Sequence, residues 1–382
     1  MSLREIIEQE IRAHGPIRFS RYMELCLYHS ELGYYSRNAA QFGKAGDFFT
    51  SSDVHAVFGR LLARQFDEIW RALGRPNKLE ILELGPGRGL FARDLLDWLE
   101  KKSPEFFQAL TYTLQESSPA LRTKLVENLA GHIKRGKTTI AAGPRSGDVE
   151  RVQVHRTESK ETPVIVFANE FFDALPVEII STQGKLHLGF EGDRLIEVWL
   201  APTADELEFL DRYSVHPEEG ERVEVALVGQ RWAKAIATAI GRGFLVIIDY
   251  GYTRSEQLAG RHRGTLMAYR QHSAGSNPYE APGEQDLTAH VNFAAVAAAA
   301  QHAGMSPQKL ITQSQFLMGI GERDQFADVF EECKVPQERA KVTLQLKHLI
   351  SPAGMGETFH VLVASRDVEP KKVAALSGLR FA

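Results

Sequence analysis

Apolar positions along this chain follow two spacings, and the change between them outlines the fold. Leu3, Ile6, Ile7 and Ile11 recur at helical spacing, so the first residues predict an amphipathic helix. Pro16 ends it, and Ser20 caps a second helix through Tyr22, Met23, Leu25 and Leu27. A turn-rich stretch from Gly33 to Ser52 precedes a helix that starts near Asp53. The spacing then shortens. Leu79, Ile81, Leu82 and Leu84 form a compact apolar run that predicts a buried strand. Gly85, Gly87 and Gly89 follow at alternate positions, and Leu90, Phe91, Leu95, Leu96 and Leu99 return to helical spacing. Tyr112–Glu116 repeats the strand, and Leu121, Leu125 and Leu129 the helix. Val164–Phe167 and Phe244–Ile248 are two further buried strands. Strands that alternate with helices predict an α/β fold with a mostly parallel sheet. Either Thr138–Ala142 or Val152–His155 supplies its third strand, and the second is preferred.

Between these runs the pattern changes again. Glu178–Ser181, Lys185–Phe190 and Leu195–Ala201 predict short antiparallel strands joined by glycine turns. A helix with Val228, Trp232, Ile236 and Ile240 on one side follows. Arg261–Asn292 is a long loop rich in glycine and histidine, of the kind that carries function. Phe293–His302 is an alanine-rich helix, and His360–Ser365 a closing edge strand. The expected organisation is an N-terminal helical cap and binding loop (1–75) and a first part of the core (76–176). A β-rich insertion (177–220) follows, then the remainder of the core with the loop 261–292 (221–382).

Composition narrows the function classes. At 382 residues the chain exceeds a usual single core, which agrees with a core plus an inserted lobe. Lys and Arg number 45 against 49 Asp and Glu, a net charge of −4, so nothing draws the whole chain to nucleic acid. The two cysteines, Cys26 and Cys333, have no metal-ligand spacing, so neither a disulfide framework nor a metal site is expected. His272 and His290 are read as structural. No run approaches the roughly 18 apolar residues of a membrane span. The scarcity of cysteine fits a reducing compartment.

The chemistry gathers at strand ends. Glycines after a buried strand aim backbone N–H groups and a helix N-terminus at a ligand. A dinucleotide fingerprint needs a small residue where Leu90 stands, which disfavours an NAD(P) oxidoreductase. The stretch Glu83–Gly89 instead reads E-x-G-x-G-x-G and is similar to the first motif of class I S-adenosylmethionine-dependent methyltransferases. Glu116, ending the second strand, offers two acceptors to ribose hydroxyls. Asn169, Glu170 and Asp173 follow the Val164–Phe167 strand at the carboxyl edge where ligands bind in such sheets.

Five stretches occur together: G-D-F-F-T-S-S before Phe58-Gly59, E-L-G-P-G-R-G, A-N-E-F-F-D-A-L-P, I-D-Y-G and G-E-Q-D-L-T-A-H-V-N-F. They resemble the MidA family of class I methyltransferases, which includes a mitochondrial complex I assembly factor that methylates an arginine. The resemblance covers about residues 16–365. It implies a Rossmann-like core with S-adenosylmethionine held at Gly85, Gly87, Gly89 and Glu116, and the Gly46–Ser51 loop, with Asp47, Thr50 and Ser51, folded over it. It places the acceptor side at Asn169, Glu170 and Asp173. Asp148 and Glu158 both remain candidates for the adenine contact. The implied reaction is protein arginine N-methylation linked to complex I assembly, with a complex I core subunit as client. The alternative is a non-catalytic assembly factor that binds the cofactor and docks a client.

Overall fold

The computed structural model describes residues 1–37, 56–143, 161–270, 273–275 and 277–382. Among the described residues the central sheet has nine strands, of which the six longest are β1 (Leu79–Leu84), β2 (Leu110–Glu116), β3 (Thr138–Ala142), β4 (Val164–Asn169), β5 (Gly243–Tyr252) and β6 (Phe359–Arg366). Their order is β3-β2-β1-β4-β5-β6. The first five run parallel and β6 antiparallel to β5. The expected α/β class I methyltransferase sheet is thus present. The order reverses between β1 and β4, and side by side at their carboxyl ends lie the glycine turn and Asn169. Ligands bind in doubly wound sheets at such a switch point.

The third strand is a correction. Thr138–Ala142 pairs with β2, from Tyr112↔Thr138 to Glu116↔Ala142. Val152–His155, the preferred candidate, lies outside the described residues. Among the described residues β3 is an edge strand, and only Thr138 in it is fully buried, so it lacks the apolar run that marks its central neighbours. The closing strand also differs in detail, because Ser306–Pro307 and Ile311–Thr312 each pair with part of β6.

Apolar side chains cover both faces of the sheet. On one, the helices Ala56–Ala72 and Leu90–Lys102 bury Phe58, Leu62, Phe66, Leu95 and Leu99 against Ile81, Phe167 and Val246. On the other, Leu227–Ala239 and Phe293–His302 bury Trp232, Ile236 and Phe293 against Val166 and Leu245. Each such side chain contributes roughly 1.5–3 kcal/mol.

A second sheet joins Ile17–Arg18, Gly184–Glu191, Glu178–Ser181 and Val223–Val225, with Arg194–Leu200 beside Gly184–Glu191. A third small sheet has Met267–Arg270 between Ser273–Gly275 and Asp286–Thr288. Leu3, Ile7, Phe19 and Met23 of the first two helices share one core with Leu186 and Leu188 of the second sheet and Leu287 of the third. That shared core brings Tyr28, Tyr35 and Asp286 to the carboxyl edge of the central sheet.

Candidate functional site

The turn after β1 is a cradle that favours glycine. Gly85, Gly87 and Gly89 have φ of 62°, 54° and 72°, in the left-handed region. A Cβ on Gly85 would lie 2.9 Å from Phe171 Cδ2. Around Gly87 none of the described residues lies within 4 Å of the position a Cβ would take. The Gly85 N–H donates to the Gln115 carbonyl at 3.0 Å, which ties the turn to β2. Gly85 and Gly87 line a cleft of about 1290 Å³, its open mouth included, together with Glu83, Glu116, Asn169, Glu170, Asp173 and Asp286.

Glu116 sits where the sequence predicted, at the end of β2, and is 6% exposed. Its Oε1 accepts the Ser118 N–H at 2.8 Å. Burial pushes its carboxyl up to about 7, against the pull of backbone donors at Ser118, Gly87 and Ser117. Glu83, inside the glycine motif but given no role by its position there, accepts the Tyr112 hydroxyl at 2.9 Å. Burial pushes it up to about 8. Ligand donors that reach such carboxylates meet little competition from water.

The opposite wall is the turn after β4. No helix begins at Asn169; the segment through Leu175 is bends and turns. Asn169 Nδ2 donates to Glu170 Oε1 at 3.2 Å. Glu170 has φ of 50°, a conformation rare outside glycine and a frequent mark of functional turns. A buried acid behind the turn holds its shape. Asp249 Oδ2 accepts the N–H groups of Phe171, Phe172 and Asp173 at 3.2, 3.0 and 3.3 Å, and Oδ1 accepts that of Tyr250 at 3.0 Å. Asp173 Oδ2 accepts the Tyr250 hydroxyl. Asp173 Oδ1 is buried with no hydrogen-bond partner among the described residues. Burial pushes the Asp173 carboxyl up to about 6, and the Tyr250 hydrogen bond pulls against this. A carboxylate oxygen in that state suits a cationic donor.

Of the sequence-predicted site residues, Gly85, Gly87, Glu116, Asn169, Glu170 and Asp173 line this one cleft. Gly89 stands behind it, where a Cβ would come within 2.5 Å of Leu125 Cδ2. Asp47, Thr50, Ser51, Asp148, Glu158 and His272 lie outside the described residues. Sequence reasoning missed the roles of Glu83, Asp249, Tyr250 and Asp286, and of Tyr28 and Tyr35, which also line the cleft. Glu83 and Asp249 each had one signal, an acid at or near the end of a buried strand. Tyr28 and Tyr35 had none.

A family model described as "Putative S-adenosyl-L-methionine-dependent methyltransferase" matches residues 61–311. The Drosophila melanogaster protein arginine methyltransferase NDUFAF7 homolog, mitochondrial, is 30% identical over 94% of this chain and 84% of its own. The Homo sapiens protein arginine methyltransferase NDUFAF7, mitochondrial, is 27% identical over 92% of this chain and 80% of its own. A COG1565 superfamily member from Burkholderia thailandensis, crystallised bound to S-adenosyl-homocysteine, superposes with a TM-score of 0.81. It is 26% identical and covers 98% of this chain and 94% of its own.

Proposed function

The chain belongs to this family of S-adenosyl-L-methionine-dependent methyltransferases, and from that premise we propose that it methylates a guanidinium nitrogen of a protein arginine. The glycine cradle fits the cofactor: Gly85 and Gly87 put no side chain into the cleft, and Glu116 presents buried acceptors beside them. We propose that Gly85, Gly87 and Glu116 hold the nucleoside and its tail, with Gly89 closing the turn onto its helix. When bound, S-adenosylmethionine supplies a sulfonium methyl to a nitrogen lone pair and is left as a neutral thioether.

The observation that carries the acceptor reading is Asp173 Oδ1, buried and without a partner among the described residues, in the same cleft as the cradle. A guanidinium is planar, permanently charged and rich in donors, and a carboxylate pairs with it through two hydrogen bonds. Asp173 and Glu170 would align one nitrogen and accept the proton it releases. Asn169 would steady Glu170 through its amide. Tyr250 holds Asp173, and Asp249 fixes the turn that carries it.

The names of the relatives support a protein acceptor. The sequence resemblance extends the proposal to a core subunit of respiratory complex I as the client, in a bacterial cytoplasm or a mitochondrial matrix. We also propose a segmentation with 76–176 and 221–382 as the catalytic core and 177–220 as a client-facing lobe; within the expected cap 1–75, the helix Ala56–Ala72 packs on the central sheet and goes with the core, which leaves the first two helices to face the client. No helix among the described residues is long and apolar enough to cross a membrane.

The test is transfer of tritium from methyl-labelled cofactor into a host lysate that lacks this protein, followed by amino-acid analysis of the labelled band. Label in methylarginine supports the reading. Label in methyl-lysine, or none in protein, overturns it.

A further inference from the structure

Asp286 is 6% exposed and lies on the strand Asp286–Thr288, which belongs to the third small sheet and not to the central one. It lines the same cleft as Glu170 and Asp173. Its Oδ1 accepts the Tyr35 hydroxyl at 3.1 Å, across 251 positions of sequence. The Tyr35 carbonyl accepts the Ser118 hydroxyl at 2.8 Å, and the Ser118 N–H donates to Glu116 at 2.8 Å. Three hydrogen bonds, linked through the covalent frames of Tyr35 and Ser118, therefore join the carboxylate at the end of β2 to Asp286.

Charge balance gives this acid a purpose. The described lining of the cleft holds five carboxylates (Glu83, Glu116, Glu170, Asp173 and Asp286) and one guanidinium, Arg88. S-adenosylmethionine carries a sulfonium, an ammonium and a carboxylate, a net single positive charge. Burial keeps Glu83 protonated near neutral pH and Glu116 only partly ionised, so with the cofactor bound the carboxylates left to balance are Glu170, Asp173 and Asp286, and buried like charges repel. A second cation relieves that repulsion. Asp173 Oδ1 offers it one acceptor that has no partner among the described residues.

We propose that Asp286 is a specificity-determining residue that grips the acceptor guanidinium together with Asp173, held in place by the Tyr35 hydroxyl. The proposal rests on the arginine reading above. Two carboxylates from separate elements suit a flat fork with five donors, whereas an ammonium is a compact point charge that one of them satisfies.

The experiment uses the full chain loaded with S-adenosylhomocysteine, titrated by calorimetry with N-acetyl-arginine methylamide and with N-acetyl-lysine methylamide. Wild type is expected to favour the arginine probe. Asp286→Asn should weaken that probe about tenfold or more, the cost of losing a charged hydrogen-bond partner, with S-adenosylhomocysteine affinity unchanged. Tyr35→Phe, which keeps the ring, should weaken the arginine probe less and in the same direction. If Asp286→Asn binds the arginine probe as wild type does, Asp286 does not read the acceptor, although the arginine reading stands. If wild type prefers the lysine probe or binds neither, the arginine reading itself falls. Should Asp286→Asn fail to bind S-adenosylhomocysteine, Tyr35→Phe decides, and wild-type affinity for the arginine probe in that variant overturns the proposal.

Discussion

Asp249 Oδ2 accepts the backbone N–H of Asp173 at 3.3 Å, and the N–H groups of Phe171 and Phe172 converge on the same oxygen. A fully buried acid on β5 thus sets the backbone of the turn that ends β4. Both carboxylate oxygens of Asp249 act as acceptors, because Oδ1 takes the Tyr250 N–H at 3.0 Å.

Asp249→Asn tests this arrangement. The amide must turn its NH₂ toward either the three N–H groups or that of Tyr250, so donor meets donor. The expected loss is about 1–3 kcal/mol of stability in denaturant titration, with a fall in kcat and little change in S-adenosylhomocysteine affinity. A variant as stable and as active as wild type would show that Asp249 does not position the turn.

The acceptor side should respond to pH near 6, where burial has pushed the Asp173 carboxyl. Gripping a cation needs the ionised form, so kcat/KM for the acceptor should rise as pH increases through about 6 and then level off. The Tyr250 hydrogen bond favours the ionised form. Tyr250→Phe should therefore move the midpoint upward. An unmoved or lowered midpoint would break the link between Tyr250 and Asp173.

Glu83 makes a prediction about the free protein. Burial pushes its folded carboxyl up to about 8, while the unfolded chain titrates near the ordinary value of 4.5. Between those values the folded state retains a proton that the unfolded state has released, so stability falls as pH rises through the window. Below it Glu83 costs nothing by this route, and above it the loss is complete. Glu83→Gln keeps an acceptor for the Tyr112 hydroxyl and removes the titration. The variant should match wild type near pH 4 and exceed it by several kcal/mol near pH 8, on the order set by the shift. Parallel stability curves for the two proteins across pH 4–8 would contradict the linkage.

Gly85→Ala and Gly192→Ala make a matched pair. Their φ values are 62° and 61°, so each pays about 1–2 kcal/mol for a left-handed alanine. At Gly192 no atom lies within 4 Å of the added Cβ, whereas at Gly85 it meets Phe171 Cδ2 at 2.9 Å beside the cleft. Both variants should lose stability, and only Gly85→Ala should also lose S-adenosylhomocysteine affinity by calorimetry. Equal affinity in the two variants would remove the cradle from the cofactor site.

The sequence pattern disclosed the elements whose residues act locally. β1, β2, β4 and β5 are buried on both faces and show as apolar runs, and the glycine turn shows as spacing. Asn169, Glu170 and Asp173 could be seen because a buried strand delivers them together to one edge. β3 was misjudged because an edge strand needs no continuous apolar run. The helix Ala204–Tyr213 went unseen inside a segment read as strands, although Thr203 and Glu206 form a capping box there. The remaining roles depend on distance in sequence. Tyr35 meets Asp286 across 251 positions and Asp249 meets Phe172 across 77, and no local pattern encodes either meeting.

The most direct test of the account compares methyl transfer by wild type, Glu170→Gln and Asp173→Asn into the labelled client band, with S-adenosylhomocysteine affinity measured alongside. The account predicts methylarginine from wild type, and a loss of about a hundredfold or more in kcat/KM from each variant with cofactor affinity within about twofold. Wild-type transfer by both variants at unchanged affinity would contradict the assignment of these acids to the acceptor.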